Sequence, residues 1–223
     1  MDKTNPSAWL ALKPQSIITV SDAQGIQDSM RRGLGVRGID YTVRSIEQCT
    51  HVDGFSKHLF LTLADPEQTV YLMVKIVDEW VDLYLYFEPP DLAGGARADL
   101  LDRGMFWLFE EPQDASRYDP AELRYTRMLS QWVPDPSGGA NRELIYRMKS
   151  QGEIQCHHVE TPARQGMSSR MLATLVEYRA DEAGENPEFL ILEVGEMRST
   201  RSFVRFFQGC PITLAEVDVL GIQ

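Results

Sequence analysis

The side chains with the most distinctive chemistry in this chain are two matched pairs, Cys49 with His51 and Cys156 with His158. One residue separates the members of each pair, so on a strand both point to the same face. If two such strands lay side by side, their thiolates and imidazoles would form a Cys2His2 set of the kind that binds zinc. Against this, C-x-H is not the common spacing of zinc ligands, and cysteine is often buried for packing reasons alone. Buried thiols beside half-exposed histidines is therefore the plainer expectation. With Cys210 the cysteines are an odd, sparse set, which reads as free thiols in a reducing, cytoplasmic compartment and not as a disulfide framework.

Other signatures carry less. Gly33, Gly35 and Gly38 make a formal G-x-G-x-x-G, but dinucleotide binding needs a strand before the glycines and a helix after them. Here a predicted helix precedes and a strand follows, so the glycines read as helix termination and turn. The chain has no G-x-S-x-G, H-E-x-x-H, G-x-x-x-x-G-K-[ST] or S-x-x-K, which removes the common nucleophile, zincin and phosphate-loop signatures. Cys156 and His157 are adjacent and would point to opposite faces of a strand. Glu110 and Glu111 are likewise neighbours, which does not set two carboxylates around one substrate. No catalytic residue is assigned, and a non-enzymatic protein is the expectation.

The elements that would carry these residues repeat. Tyr41-Thr-Val-Arg-Ser45 is echoed by Tyr146-Arg-Met-Lys-Ser150, and Gln48-Cys49-Thr-His51-Val52 by Gln155-Cys156-His-His158-Val159. Apolar runs at 59–63, 70–74 and 82–87 are matched in order by runs at 172–176, 189–194 and 202–207, each copy closing at a proline, Pro89 and Pro211. Short runs rich in Val, Phe, Tyr and Leu, spaced by polar turns, predict a four-stranded antiparallel meander in each copy. The fold class is α+β, mainly β, with two tandem β-meander modules arising by internal duplication. The expected plan is a helical lead-in over 1–38, a first β-module over 39–90, an acidic helical insert over 91–133, a linker over 134–140 and a second β-module over 141–223. The lead-in helix is expected over 22–32, opened by the capping-box form Ser21-x-x-Gln24. A second is expected over 119–132, with Asp119 as cap, Pro120 in the first turn and Leu123, Met128, Leu129 and Trp132 at helical spacing. The runs at 70–77 and 189–194 are apolar on both faces and need cover on both.

Charge narrows the choice of partner. The formal net charge is -11, which repels the phosphates of nucleic acids and anionic membrane surfaces. The stretch at 8–12 is too short for a secretory apolar core, and the run at 70–77, interrupted by Lys75, is too short to span a bilayer. Residues 78–122 hold twelve carboxylates against Arg97, Arg103 and Arg117, and so nine of the eleven net negative charges. In the strand over 80–88, Val81, Leu83, Leu85 and Phe87 share one face, while Trp80, Asp82, Tyr84, Tyr86 and Glu88 form an aromatic, acidic one. That face, with Glu110 and Glu111, is the expected docking surface for a protein partner, basic in character, or for self-association. The alternative is that it packs internally. Further alternatives are the zinc site of Cys49, His51, Cys156 and His158, and a small-molecule site in the groove between the modules. Arg198, Arg201 and Arg205, interleaved with Phe203 and Phe207, are expected to make ion pairs with the acidic segment in preference to RNA contacts.

Overall fold

The computed structural model describes residues 1–20, 40–64, 69–89, 92, 95–110, 124–133, 139–159, 170–180, 188–195 and 202–220. In chain order these form α1 (Pro6–Leu10), β1 (Ile17–Val20), β2 (Asp40–His51), β3 (Ser56–Ala64), β4 (Thr69–Val77), β5 (Trp80–Phe87) and β6 (Gly95–Ala96). Then follow α2 (Arg97–Asp102), a turn of 3-10 helix (Phe106–Leu108), β7 (Phe109–Glu110), β8 (Arg124–Tyr125), β9 (Met128–Val133) and β10 (Arg142–Val159). The chain continues through β11 (Arg170–Ala180), β12 (Glu188–Gly195), β13 (Ser202–Ile212) and β14 (Val217–Leu220). The described residues are thus mostly strand, in antiparallel ladders, with two short helices. They divide into unit 1 (Met1–Phe87, Ile154–Arg170 and Gly209–Gln223) and unit 2 (Glu88–Glu153 and Met171–Gln208).

In unit 1 the ladder runs β14, β1, β2, β3, β4, β5. Tight turns set the meander's register. Asp78 adopts φ 52° between Val77 and Trp80, which face each other, and Gly54 adopts φ 78° at the tip between β2 and β3. Asp and Gly are the residues that tolerate this left-handed backbone. The core face carries Val70, Leu72, Val74 and Ile76 of β4 and Leu83, Leu85 and Phe87 of β5, joined by Trp9 of α1. Asn5 caps α1 by accepting from the Ser7 amide, and the Trp9 indole donates to the Lys3 carbonyl. A register shift between Val43 and Ser45 changes which residues of β2 face the core. Tyr41 and Val43 face it before the shift and Ile46 after it, so Cys49 falls on the opposite face. On the second face of β4 Met73 is buried, while Tyr71, Lys75 and Val77 are half-buried.

Unit 2 has the order β13, β12, β11, β10, β9, with β6 also on β13 and a separate ladder of β7 and β8. Its core gathers Leu144 and Tyr146 of β10, Val176 and Tyr178 of β11, Phe189 and Ile191 of β12, Val204 and Phe206 of β13, and Leu100 and Leu101 of α2. The strand segments expected within 146–159, 172–176, 189–194 and 202–207 all lie in strands.

Two helical expectations fare differently. The lead-in helix at 22–32, with the glycines that follow it, lies outside the described residues, as do 111–123 and the linker residues 134–138. The expected helix over 119–132 is overturned across its second half, where β8 and β9 are strands. Positions 128, 129 and 132 fit a helical period, but pairing with β10 imposes a period of two. Leu129 lies opposite Tyr146 and is buried, while Met128 and Trp132 turn outward.

Two backbone constraints of unit 1 can be tested. A Cβ at Gly209 would lie 2.0 Å from the Leu85 carbonyl oxygen and 2.8 Å from Tyr86 Cδ1. Gly209→Ala should therefore cost about 3 kcal/mol or more in urea unfolding, whereas Gly195→Ala, whose Cβ meets nothing nearer than 4.0 Å, should be nearly neutral. The disulfide Cys49–Cys156 closes a separation of 107 residues between β2 and β10. Replacing both cysteines by Ala should lower the unfolding free energy by about 2–5 kcal/mol, and dithiothreitol should lower that of the unmodified protein by a similar amount.

Candidate functional site

Glu193 interrupts an apolar stretch of β12 and lies on the same face as the core residues Phe189 and Ile191. A carboxylate placed there needs partners, because an unpaired buried charge is costly. It has three. Arg97 Nη1 at 3.1 Å and Ser202 Oγ at 2.5 Å donate to one oxygen, and Tyr125 Oη at 2.6 Å donates to the other. The guanidinium carbon of Arg97 sits 4.9 Å from the Phe109 ring centroid and 5.5 Å from that of Tyr125, adding cation–π attraction. Burial, followed by the adjacent Glu193 carboxylate, pushes the Tyr125 hydroxyl well above its ordinary pKa, so Tyr125 remains a neutral donor. Beside this cluster a pocket of about 300 Å³ is lined by Glu153, Leu172, Thr174 and Ser202 together with Arg97 and Glu193.

A second polar set lies elsewhere in unit 2. Gln208, buried between Phe207 and Gly209, donates to Tyr146 Oη at 2.9 Å and to the Gln131 side-chain oxygen. Gln131 and Tyr146 also line a pocket of about 260 Å³ walled by Leu92, Trp107, Trp132 and Phe189. Trp107 is 49% exposed and Trp132 65% exposed. An apolar wall with a few fixed polar groups is the usual make-up of a ligand pocket.

The residues expected to form sites are placed as follows. Cys49 and Cys156 face each other directly and are joined in a disulfide, so in this state the sulfurs bond each other and neither is a thiolate ligand. The free-thiol expectation is corrected for this pair, because opposed residues of an antiparallel ladder come within bonding reach. Cys210 is buried and outside the bridge. His51 lies opposite Ile154, His158 opposite Glu47, and the fully buried His58 opposite Cys49. Among the described residues no group of three or more His, Cys, Asp or Glu side chains could hold a metal ion.

The aromatic face of β5 is divided. Trp80 is 78% exposed and Asp82 is exposed, but Tyr84 and Tyr86 are 8% and 1% exposed with their rings 6.1 Å apart. Glu88 accepts from Arg205 Nε at 2.7 Å, and Arg205 also lies over Phe207. That is the ion pair with the acidic segment expected for these arginines, seen for Arg205, while Arg198 and Arg201 lie outside the described residues. Tyr84 and Tyr86 therefore belong to an interior, and the internal-packing alternative describes them. Glu110 lies opposite Arg124 in β7 and β8, and Glu111 is outside the described residues.

The Glu193 cluster and the tryptophan pocket were not anticipated. A lone Glu within Phe189-Leu-Ile-Leu-Glu-Val194 was the available signal for the first, and an amide inside the apolar end of β13 for the second. Comparison of the chain with protein families, curated proteins and solved structures finds no match.

The raised pKa of Tyr125 carries a pH dependence with a definite sign. A folded-state pKa above the unfolded value of about 10 means its stabilisation is complete below pH 10 and drains as pH rises toward the folded value. Tyr125→Phe should cost about 1–3 kcal/mol at pH 7 through the lost bond to a carboxylate, and its urea midpoint should fall less between pH 9 and 11 than that of the unmodified protein.

Proposed function

We propose that this chain is a non-enzymatic interaction protein that holds a basic protein partner at the tryptophan pocket of unit 2. The observation that carries the reading is a pair of exposed tryptophans, Trp107 and Trp132, on an apolar pocket whose described lining residues include no carboxylate, imidazole or thiol. Such a wall offers apolar contact area to a partner. Tryptophans half in water are the anchors that interfaces favour. Leu92 and Trp107 lie within the segment 78–122, which supplies nine of the eleven net negative charges, so a partner bearing lysine or arginine around an apolar anchor is drawn to it and neutral surfaces are not. Trp80 and Asp82, the open end of the aromatic face, are a secondary contact on unit 1.

Internal duplication is the proposed origin of the scaffold. Its support is the register of β2 on β10: Cys49 opposes Cys156, Gln48 opposes His157 and Thr50 opposes Gln155. With the copies offset by the 107 residues between the cysteines, a local twofold through that pair exchanges Gln48 with Gln155 and Thr50 with His157.

Selection of displayed peptides on the full-length protein tests the functional reading. The expected ligands carry an aromatic or long aliphatic residue flanked by Lys or Arg, and their affinity should fall about tenfold or more in Trp107→Ala and in Trp132→Ala and weaken with salt. Selected peptides with no basic bias, or affinity unchanged from that of the unmodified protein in both alanine variants, overturn it. Concentration-dependent self-association abolished by Trp132→Ala would replace the basic partner with a second copy.

A further inference from the structure

The pocket beside Glu193 has a chemistry of its own, distinct from the tryptophan pocket. We propose that it is a binding site for a primary alkylammonium group, a single positive charge on an unbranched apolar stem. Four observations point to that class. Among the described residues its ionised lining is Glu153, Glu193 and Arg97, two negative charges and one positive, a balance that favours a cation. The Arg97 guanidinium, 3.1 Å from Glu193, disfavours a divalent ion by repulsion and leaves a monovalent one suited to the site. The described lining offers an acceptor for each of an ammonium's three donors: the Glu153 carboxylate, the Thr174 hydroxyl and the Glu193 oxygen that accepts only from Tyr125 Oη among the hydrogen bonds described. The remaining wall includes Leu172, 54% exposed at the mouth, along which an aliphatic stem can lie while its charged head stays among the acceptors.

Thr174 and Glu193 are cross-strand partners on β11 and β12, and Glu193 is already held by Arg97, Tyr125 and Ser202. One wall of the site is thus preorganised before any ligand arrives, which reduces the ordering cost of binding. A free amine and the side chain of a lysine in a peptide share this chemistry.

Titration of the full-length protein by calorimetry and by chemical-shift change, with n-butylammonium in one arm and Nα-acetyl-lysine N-methylamide in the other, tests the proposal. Saturable binding of both probes, or of either alone, supports it, and the arm that binds identifies the source. Glu153→Gln, at an exposed position, should retain the melting temperature and weaken binding about tenfold, the loss of one charge-assisted hydrogen bond. Thr174→Val should weaken it less. The proposal is overturned if neither probe saturates, if n-butanol binds as well as n-butylammonium, or if Glu153→Gln binds unchanged. Calcium at equal concentration should not displace the amine, and displacement would assign the pocket to divalent ions instead.

Discussion

Cys49 and Cys156 face each other across β2 and β10, and much of unit 1 depends on that one register. In an antiparallel ladder, opposed residues share a face and a slip of one residue turns every side chain over. With the pair in register, Ile154 lies opposite His51 and His158 opposite Glu47, and the covalent bond ties positions 107 residues apart. The bulge between Val43 and Ser45 makes this compatible with a core. It lets Tyr41 and Val43, on one side of the shift, and Ile46, on the other, all reach the same apolar cluster while Cys49 turns away from it.

Unit 2 depends on a different kind of interaction. A carboxylate on the core side of β12 is tolerable only because donors from α2, β8 and β13 converge on it. Each donor comes from a separate stretch of chain, so the cluster specifies where those stretches must end up, at a desolvation cost that hydrophobic replacements would not carry. Polar residues kept at such a cost beside a cavity are the kind of arrangement that binding sites use. Charge and aromatic surface are separated within the unit: the ionised groups line one pocket and the tryptophans another.

The strands were legible because their signal is local. Alternation in 80–88 and dense β-branched and aromatic runs spaced by polar turns each state a strand within a few residues. The helix expected over 119–132 failed in its second half because positions 128, 129 and 132 satisfy two periods at once, and only the partner strand β10 chooses between them. The aromatic face of β5 was legible as a face, but Tyr84 and Tyr86 are buried while Trp80 is open, a difference that alternation within one strand does not carry.

By itself the sequence determined that the chain is acidic, mainly β and without a recognisable catalytic signature, since composition, period and motif are properties of neighbouring residues. Tertiary structure alone decided that Cys49 and Cys156 bond each other, that Glu193 meets Arg97, Tyr125 and Ser202, and that Trp107 and Trp132 share a pocket. Each of these joins residues that are 25 or more positions apart along the chain, except Ser202 with Glu193, nine apart in adjacent strands. The physical reason is common to them all: register and sheet order set which distant side chains meet, and neither is written in the period of a single strand.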